Sequence, residues 1–453
     1  MSIPLVLLRE KDVSDWLQSQ PAPLARWVAT HGFKGERART LSVAGSDGGI
    51  SLMLAGVGDL RDWDNLTLWH AAGLGEKLPA GKYTLTTPLG ERAATQFLLG
   101  WLIGQYRFTR FRTAPSTEPA LLEKPAGADS AYAHAAAQAI AAARDLINLP
   151  ANELGPAELA AAVQRLADEF GAECRVHEAG SGAAPDFPLL GAVGAGSPRA
   201  PCMVELLWGG PTAAPVTLIG KGVCFDSGGL DIKPSAAMLL MKKDMGGAAC
   251  ALGTARLLMQ LNAPVRLRLL IPAAENSVDG RAFRPGDVLR SRKGLTVEIG
   301  NTDAEGRLIL ADALALADES PPALMIDFAT LTGAARVALG PELPAAFSSD
   351  ARLLEEFVQA AAEEHDPVWP MPLWEPYDDE LASRIADLNN VSASGFAGAI
   401  VAALFLKRFV TQTVHWVHLD LYAWNPKERA GRPVGAEAQC IRAVYKLIRQ
   451  RFG

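Results

Sequence analysis

The chain has 453 residues, 49% of them hydrophobic, which suits two or three domains with sizeable cores. Its 43 Lys and Arg stand against 50 Asp and Glu, a net charge of −7, and no basic run exceeds the Lys242-Lys243 or Arg110-Phe111-Arg112 type, so nucleic acid is disfavoured as the main partner. The five cysteines contain no CxxC pair and are too sparse for a disulfide framework, which fits reduced thiols in a cytoplasmic protein.

The N-terminal stretch lacks a basic leader and meets Arg9-Glu10-Lys11 too early for a secretory signal. Residues 1–113 mix strand candidates at 51–57 and 82–86 with an aromatic-rich helix candidate at 93–106, and read as a small α/β domain. Residues 114–130 carry Pro115, Ser116, Pro119, Pro125, Gly127 and Ser130 and read as a linker. An Ala-rich helix at 131–149 then opens a larger domain, residues 131–453. There, strand-like runs at 203–208, 216–219, 265–271, 324–328 and 416–421 alternate with helix-like runs at 156–170, 247–261, 307–317 and 398–409. Such alternation predicts an α/β fold whose central sheet, mostly parallel or mixed, is flanked by helices. The uncharged run at 391–406 is too short and too rich in small residues to span a bilayer, so no membrane association is expected. Ligands in such sheets bind beyond the carboxyl ends of strands, which directs attention to the loops after Ile219 and Gly300.

The second of these loops reads Asn301-Thr302-Asp303-Ala304-Glu305-Gly306-Arg307-Leu308. Asp303 and Glu305, two apart, would point to one side in extended backbone and call for a cation. A purely structural role is also open: Thr302 with Glu305 fits a capping box, and Asp303 with Arg307 fits an i,i+4 pair. The first loop runs from Gly220-Lys221-Gly222 through Asp226-Ser227-Gly228-Gly229 and Lys233 to Met241-Lys242-Lys243-Asp244. Its glycines allow tight turns that let Lys221, Asp226, Lys233 and Asp244 converge. It lacks the spacing of a phosphate loop, and Gly191 to Gly196 lacks that of a dinucleotide fingerprint. Cys224 has no nearby histidine, and Ser227 is not in a GxSxG elbow.

Together the loops offer Asp226, Asp244, Asp303 and Glu305, a set that cannot all ionise in one cavity without cations. Two divalent ions resolve the conflict. Oxygen donors suit Mn²⁺, Mg²⁺ or Zn²⁺, and none of the histidines lies in either motif, which excludes an HExxH-type centre. Paired ions support hydrolysis, and the carboxylates alone would serve a two-metal phosphoesterase as well as a peptidase.

In order and spacing these motifs resemble the leucyl (cytosol) aminopeptidase family, and the octapeptide 301–308 is that family's signature. The resemblance extends through 143–148, 327–334, 398–406 and 418–420. It implies a small N-terminal domain of macro-like type and a metal-dependent aminopeptidase that removes an N-terminal residue, Leu or another apolar one, from peptides. Lys221, Asp226, Asp244 and Glu305 would hold one ion, and Asp226, Asp303 and Glu305 the other, both ions being Mn²⁺ or Zn²⁺. As a ligand Lys221 must be neutral, far below its ordinary pKa of about 10.4. Lys233 would polarise the scissile carbonyl, and Arg307 would hold a bicarbonate ion that accepts the proton of the attacking water. Met241, Thr330 and Gly333 match positions lining the first side-chain pocket. A homohexamer is implied too, and some relatives carry a DNA-linked role that makes a DNA-binding regulator the alternative from another class. The chain departs from the family pattern at His418-Leu-Asp-Leu-Tyr422-Ala-Trp424, shorter by two residues and bearing a bulky tyrosine, and at 391–397.

Overall fold

The computed structural model of the protein describes residues 2–113, 118–179 and 186–453. They form two compact units, Met1–Ala141 with Lys427–Pro433, and Ala142–Pro426 with Val434–Gly453. Residues 114–117 of the segment read as linker, Pro115 and Ser116 among them, lie outside the described residues. Further along that segment, Ala120–Leu122 is a strand that pairs with Gly81–Leu85.

The smaller unit contains a five-stranded sheet. Ile3–Arg9 lies at its centre, parallel to both Ile50–Gly58 and Gly81–Leu85, and Thr40–Ala44 runs antiparallel on one edge. Leu5, Leu7, Tyr83, Phe97 and Trp101 fill its core, the last two from the helix Glu91–Gly104.

The larger unit is built on a nine-stranded mixed sheet. Trp416–Asp420, Leu324–Ala329, Ala214–Gly220 and Val265–Asn276 run parallel through its middle. Cys202–Trp208 and Glu173–Glu178 extend one side in antiparallel fashion, and Ala345–Phe347 continues the other. All six residues of Leu324–Ala329 are buried, as expected of a strand covered on both faces. Helices Gly246–Gln260 and Gly306–Asp318 are apolar on nearly every side for the same reason.

Gly222–Asp226 was expected as turn-rich loop but is a short strand, parallel to the end of Val265–Asn276. A β-carbon on Gly222 would stand 2.5 Å from the Pro272 carbonyl oxygen, so glycine here serves close strand approach. Among the described residues no helix is long and apolar enough to cross a membrane.

Candidate metal centre

The candidate site gathers at the carboxyl ends of the parallel strands. Lys221 follows Ala214–Gly220, Asp226 closes Gly222–Asp226, Thr330 follows Leu324–Ala329, and Leu421 and Tyr422 follow Trp416–Asp420. Asp244 and Glu305 immediately precede the two apolar helices, Asp244 two residues and Glu305 one residue before the first turn. One cavity of about 290 Å³ is lined by Lys221, Asp226, Lys233, Met241, Asp244, Asp303, Glu305, Thr330 and Gly333. Of the residues singled out in the sequence, Arg307 alone is not part of its wall.

Three of the carboxylates, Asp226, Asp244 and Glu305, each bring an oxygen to within 4.8 Å of the others, and all three are buried. Lys221 Nζ sits between two of them, 2.7 Å from Asp244 Oδ2 and 2.9 Å from Glu305 Oε1, and donates to the Thr330 carbonyl at 3.0 Å. Lys233 Nζ pairs with Asp226 Oδ2 at 2.9 Å and with Asp303 Oδ1. Gly306 leaves room for Lys221, whose Cε would lie 2.3 Å from a β-carbon placed there. Gly228 turns at φ +86°, and its amide donates to Asp226 Oδ1 at 2.8 Å.

The electrostatics are those of an overcrowded anionic pocket. Burial, reinforced by Asp244, raises the Asp226 pKa to about 6, and burial with the charge of Asp226 drives Glu305 well above the usual carboxylate range. Burial opposes ionisation of Asp244 too, but Lys221 prevails and holds it low. For Lys221 itself burial disfavours the charge, and Asp244, Glu305 and Asp226 override it, so in the protein alone the amine is held as ammonium. Asp244 Oδ2, Asp303 Oδ1 and Glu305 Oε1 are buried oxygens met by a lysine ammonium and by no neutral donor. Four carboxylates, two ammonium groups and three such oxygens fit a site for cations of higher charge.

The alternatives for the 301–308 segment are corrected here. Residues 301–305 form a turn, not extended backbone, and Glu305 is already in helical conformation. Glu305 makes no capping hydrogen bond, and the Thr302 hydroxyl donates to the Gly228 carbonyl at 2.6 Å instead. Asp303 pairs with Lys233 and not with Arg307. Arg307 is buried and donates from Nη1 to the Asn390 carbonyl at 2.6 Å, while its buried Nε has no hydrogen-bond partner. The Cys224 thiol is buried, and burial pushes its pKa well up, which suits packing and not attack.

Two positioning residues escaped the sequence reading. Asn276, fully buried, donates from Nδ2 to Asp226 Oδ1 at 2.9 Å and to the Thr302 carbonyl at 3.0 Å, joining the two loops. Asn390 accepts from the amides of Gly300 and Asn301 at 2.7 and 3.2 Å and returns a bond to the Asn301 carbonyl at 2.7 Å. Their distance along the chain from the motifs they brace leaves no spacing signal to read.

Comparison with known proteins agrees with this site and fold. The cytosol aminopeptidase family, catalytic domain, matches residues 141–445, and the M17 aminopeptidase N-terminal domain matches residues 3–123. A probable cytosol aminopeptidase of Geobacter sp. (strain M21) is 38% identical over 452 residues, 94% of this chain and 92% of that protein. The crystal structure of a cytosol aminopeptidase from Coxiella burnetii superposes with a TM-score of 0.95 at 44% identity, covering 100% of this chain and 98% of that one. The bottromycin maturation enzyme BotP in complex with Mn matches with a TM-score of 0.88 at 33% identity, covering 100% of both chains. The chain belongs to the cytosol aminopeptidase family. Within it, the protein is a metal-dependent aminopeptidase, a metallo-exopeptidase of the leucyl aminopeptidase type.

Proposed function

We propose that the protein hydrolyses the N-terminal residue from peptides at a centre of two divalent ions, Mn²⁺ or Zn²⁺. The observation that carries this reading is the convergence of Asp226, Asp244, Asp303 and Glu305 with Lys221 and Lys233 on one cavity. Lys221, Asp226, Asp244 and Glu305 would hold one ion and Asp226, Asp303 and Glu305 the other. When bound, such a pair supplies polarisation of a carbonyl and acidification of water near neutral pH.

The chain's own groups then have distinct tasks. Asp226 and Glu305 would be shared by both ions, and burial with neighbouring carboxylate charge raises the pKa of each. Lys221 must surrender its proton to ligate, since the carboxylates that now hold it as ammonium would face the ions instead. Lys233, partly exposed to the cavity, can donate from Nζ to the carbonyl oxygen as negative charge develops there. Arg307, whose Nε lacks a hydrogen-bond partner, is the residue that would hold a bicarbonate ion, a proton acceptor in a site that offers no histidine. The pocket walls Met241, Thr330 and Gly333 would receive the substrate's first side chain, with Leu or another apolar residue as the preference implied by family likeness. A homohexamer in the cytoplasm is the matching assembly and location, and the buried free cysteines agree with reducing surroundings. The domains of the enzyme would be residues 1–113 and 131–453, joined at 114–130.

The test is a panel of aminoacyl amides run with Mn²⁺, Zn²⁺, Co²⁺ and Mg²⁺ added to stripped protein. Metal-dependent release of the amine is expected, and equal activity on phosphate esters with none on amides would overturn the reading.

A further inference from the structure

The pocket that would receive the first side chain is not wholly apolar. Beside Met241, Leu240, Leu331 and Leu421 its wall includes Lys243, Arg336 and Tyr422. The two cations meet on one aromatic ring: Lys243 Nζ lies 4.8 Å from the Tyr422 ring centroid and the Arg336 guanidinium 5.0 Å from it. Arg336 Nη1 also lies 3.4 Å from the Tyr422 hydroxyl. Among the described residues neither cation forms an ion pair, although Lys243 is only 5% exposed. The acids nearest to them are committed elsewhere. Asp244 faces Lys221, and Asp420 accepts from the Leu331 and Thr332 amides and the Thr332 hydroxyl. Lys221 and Lys233, at the carboxylate cluster, each contact two acids.

Lys243 feels the charge of Asp244 and Asp420 but contacts neither in an ion pair, and with the exposed Arg336 it leaves two cations at the pocket wall with room for an anion from the substrate. Inorganic anions and a dipeptide's terminal carboxylate carry the same charge, but the pocket's apolar walls suit a short aliphatic stem ending in a carboxylate. We infer, on the strength of the aminopeptidase reading above but in place of the apolar preference that family likeness implies, that this pocket selects peptides whose N-terminal residue is Glu or Asp, with Lys243 and Arg336 as its counter-charges. The stem of the side chain lies against Met241 and Leu240, and Tyr422 holds the two cations toward it.

The experiment uses the full-length protein loaded with Mn²⁺ and a set of Glu, Asp, Leu, Met and Lys p-nitroanilides, which have no terminal carboxylate to confuse the result. The kcat/KM for the Glu or Asp substrate is expected to exceed that for Leu by about tenfold or more, the scale of one charge-assisted contact. Arg336 is exposed, so its replacement should leave folding intact. Arg336→Gln should lower the Glu-to-Leu ratio of kcat/KM by about tenfold, and Arg336→Glu should move the preference toward Lys. Hydrolysis of Leu or Met anilides with the acidic ones inert would overturn this inference and leave the aminopeptidase reading standing. An unchanged ratio in both Arg336 variants would overturn it too. No hydrolysis of any anilide under any added metal would remove the aminopeptidase reading itself.

Discussion

Two kinds of buried carboxylate coexist in the larger unit, and their surroundings differ in one respect. Asp318 accepts from the amides of Thr411, Gln412 and Thr413, and Asp366 from those of Cys440, Arg442 and Ala443. Asp327 places one oxygen 2.6 Å from His418 Nδ1 and the other 2.8 Å from Trp416 Nε1. These carboxylates take their short hydrogen bonds from neutral donors or a histidine, with the Arg442 guanidinium standing off at 3.9 Å from Asp366. At the candidate centre, by contrast, Asp244, Asp303 and Glu305 keep buried oxygens whose partners are the ammonium groups of Lys221 and Lys233 and not neutral donors. Burial of an acid therefore does not mark function here. What marks it is an oxygen whose partner is a lysine ammonium in place of a neutral donor, a position that an ion of higher charge can take over.

This contrast can be broken by substitutions on its two sides. The largest effect is expected at the centre: Glu305→Ala or Asp226→Ala should lose bound metal and activity together, by about 10³-fold or more if the ions are a major source of catalysis, with metal content and amide turnover measured on the same sample. A Glu305→Ala enzyme with full activity would contradict its bridging role. Lys233→Ala should keep its metal yet lower kcat by about 10²–10³-fold, as expected on removing one donor to a developing oxyanion. Normal turnover would reduce this lysine to a counter-ion for Asp226 and Asp303.

On the structural side the loss should be in stability. Asp327→Ala strands a fully buried His418, whose Nε2 already lacks a hydrogen bond, and should cost about 3–5 kcal/mol in chemical denaturation. Burial works against protonation of His418, but the charge of Asp327 prevails and raises its pKa. The pair's contribution is then full below the unfolded histidine value of about 6.5 and declines as pH rises through the higher folded value, a slope that Asp327→Asn should flatten. The smallest effect is expected from Asp318, whose three amide donors outweigh burial and hold its pKa low. Its contribution is present above about pH 3.9 and lost as pH falls through the folded value, and Asp318→Ala should remove that part of the acid limb together with about 1–3 kcal/mol.

Much of this was legible along the chain because the relevant periodicities are local. The helix read at 156–170 is Pro156–Phe170, whose apolar residues recur at helical spacing, and the strand read at 324–328 is Leu324–Ala329, a short apolar run broken only by Asp327. The central strand of the small sheet, Ile3–Arg9, went unread because its apolar character was weighed only as a leader sequence. Ala351–Glu363 and Ile441–Phe452 are strongly amphipathic helices that lie outside the motifs. At the site, residue types and spacing identified which acids converge but not their geometry. The turn at 301–305 and the bracing by Asn276 and Asn390 depend on contacts between distant segments, and the cationic meeting of Lys243 and Arg336 on Tyr422 joins three separate loops or helices. Tyr422 did stand out as bulkier than the family pattern, and its partners are what give that bulk a chemical meaning.

We read the lysine-paired oxygens of Asp244, Asp303 and Glu305 as part of a centre that works only with divalent ions. This reading is tested most directly by stripping the full-length protein with a chelator and following amide hydrolysis as Mn²⁺ is returned. Activity should fall by about a hundredfold or more and recover as about two ions bind per chain. Undiminished hydrolysis by protein shown to be metal-free would contradict it.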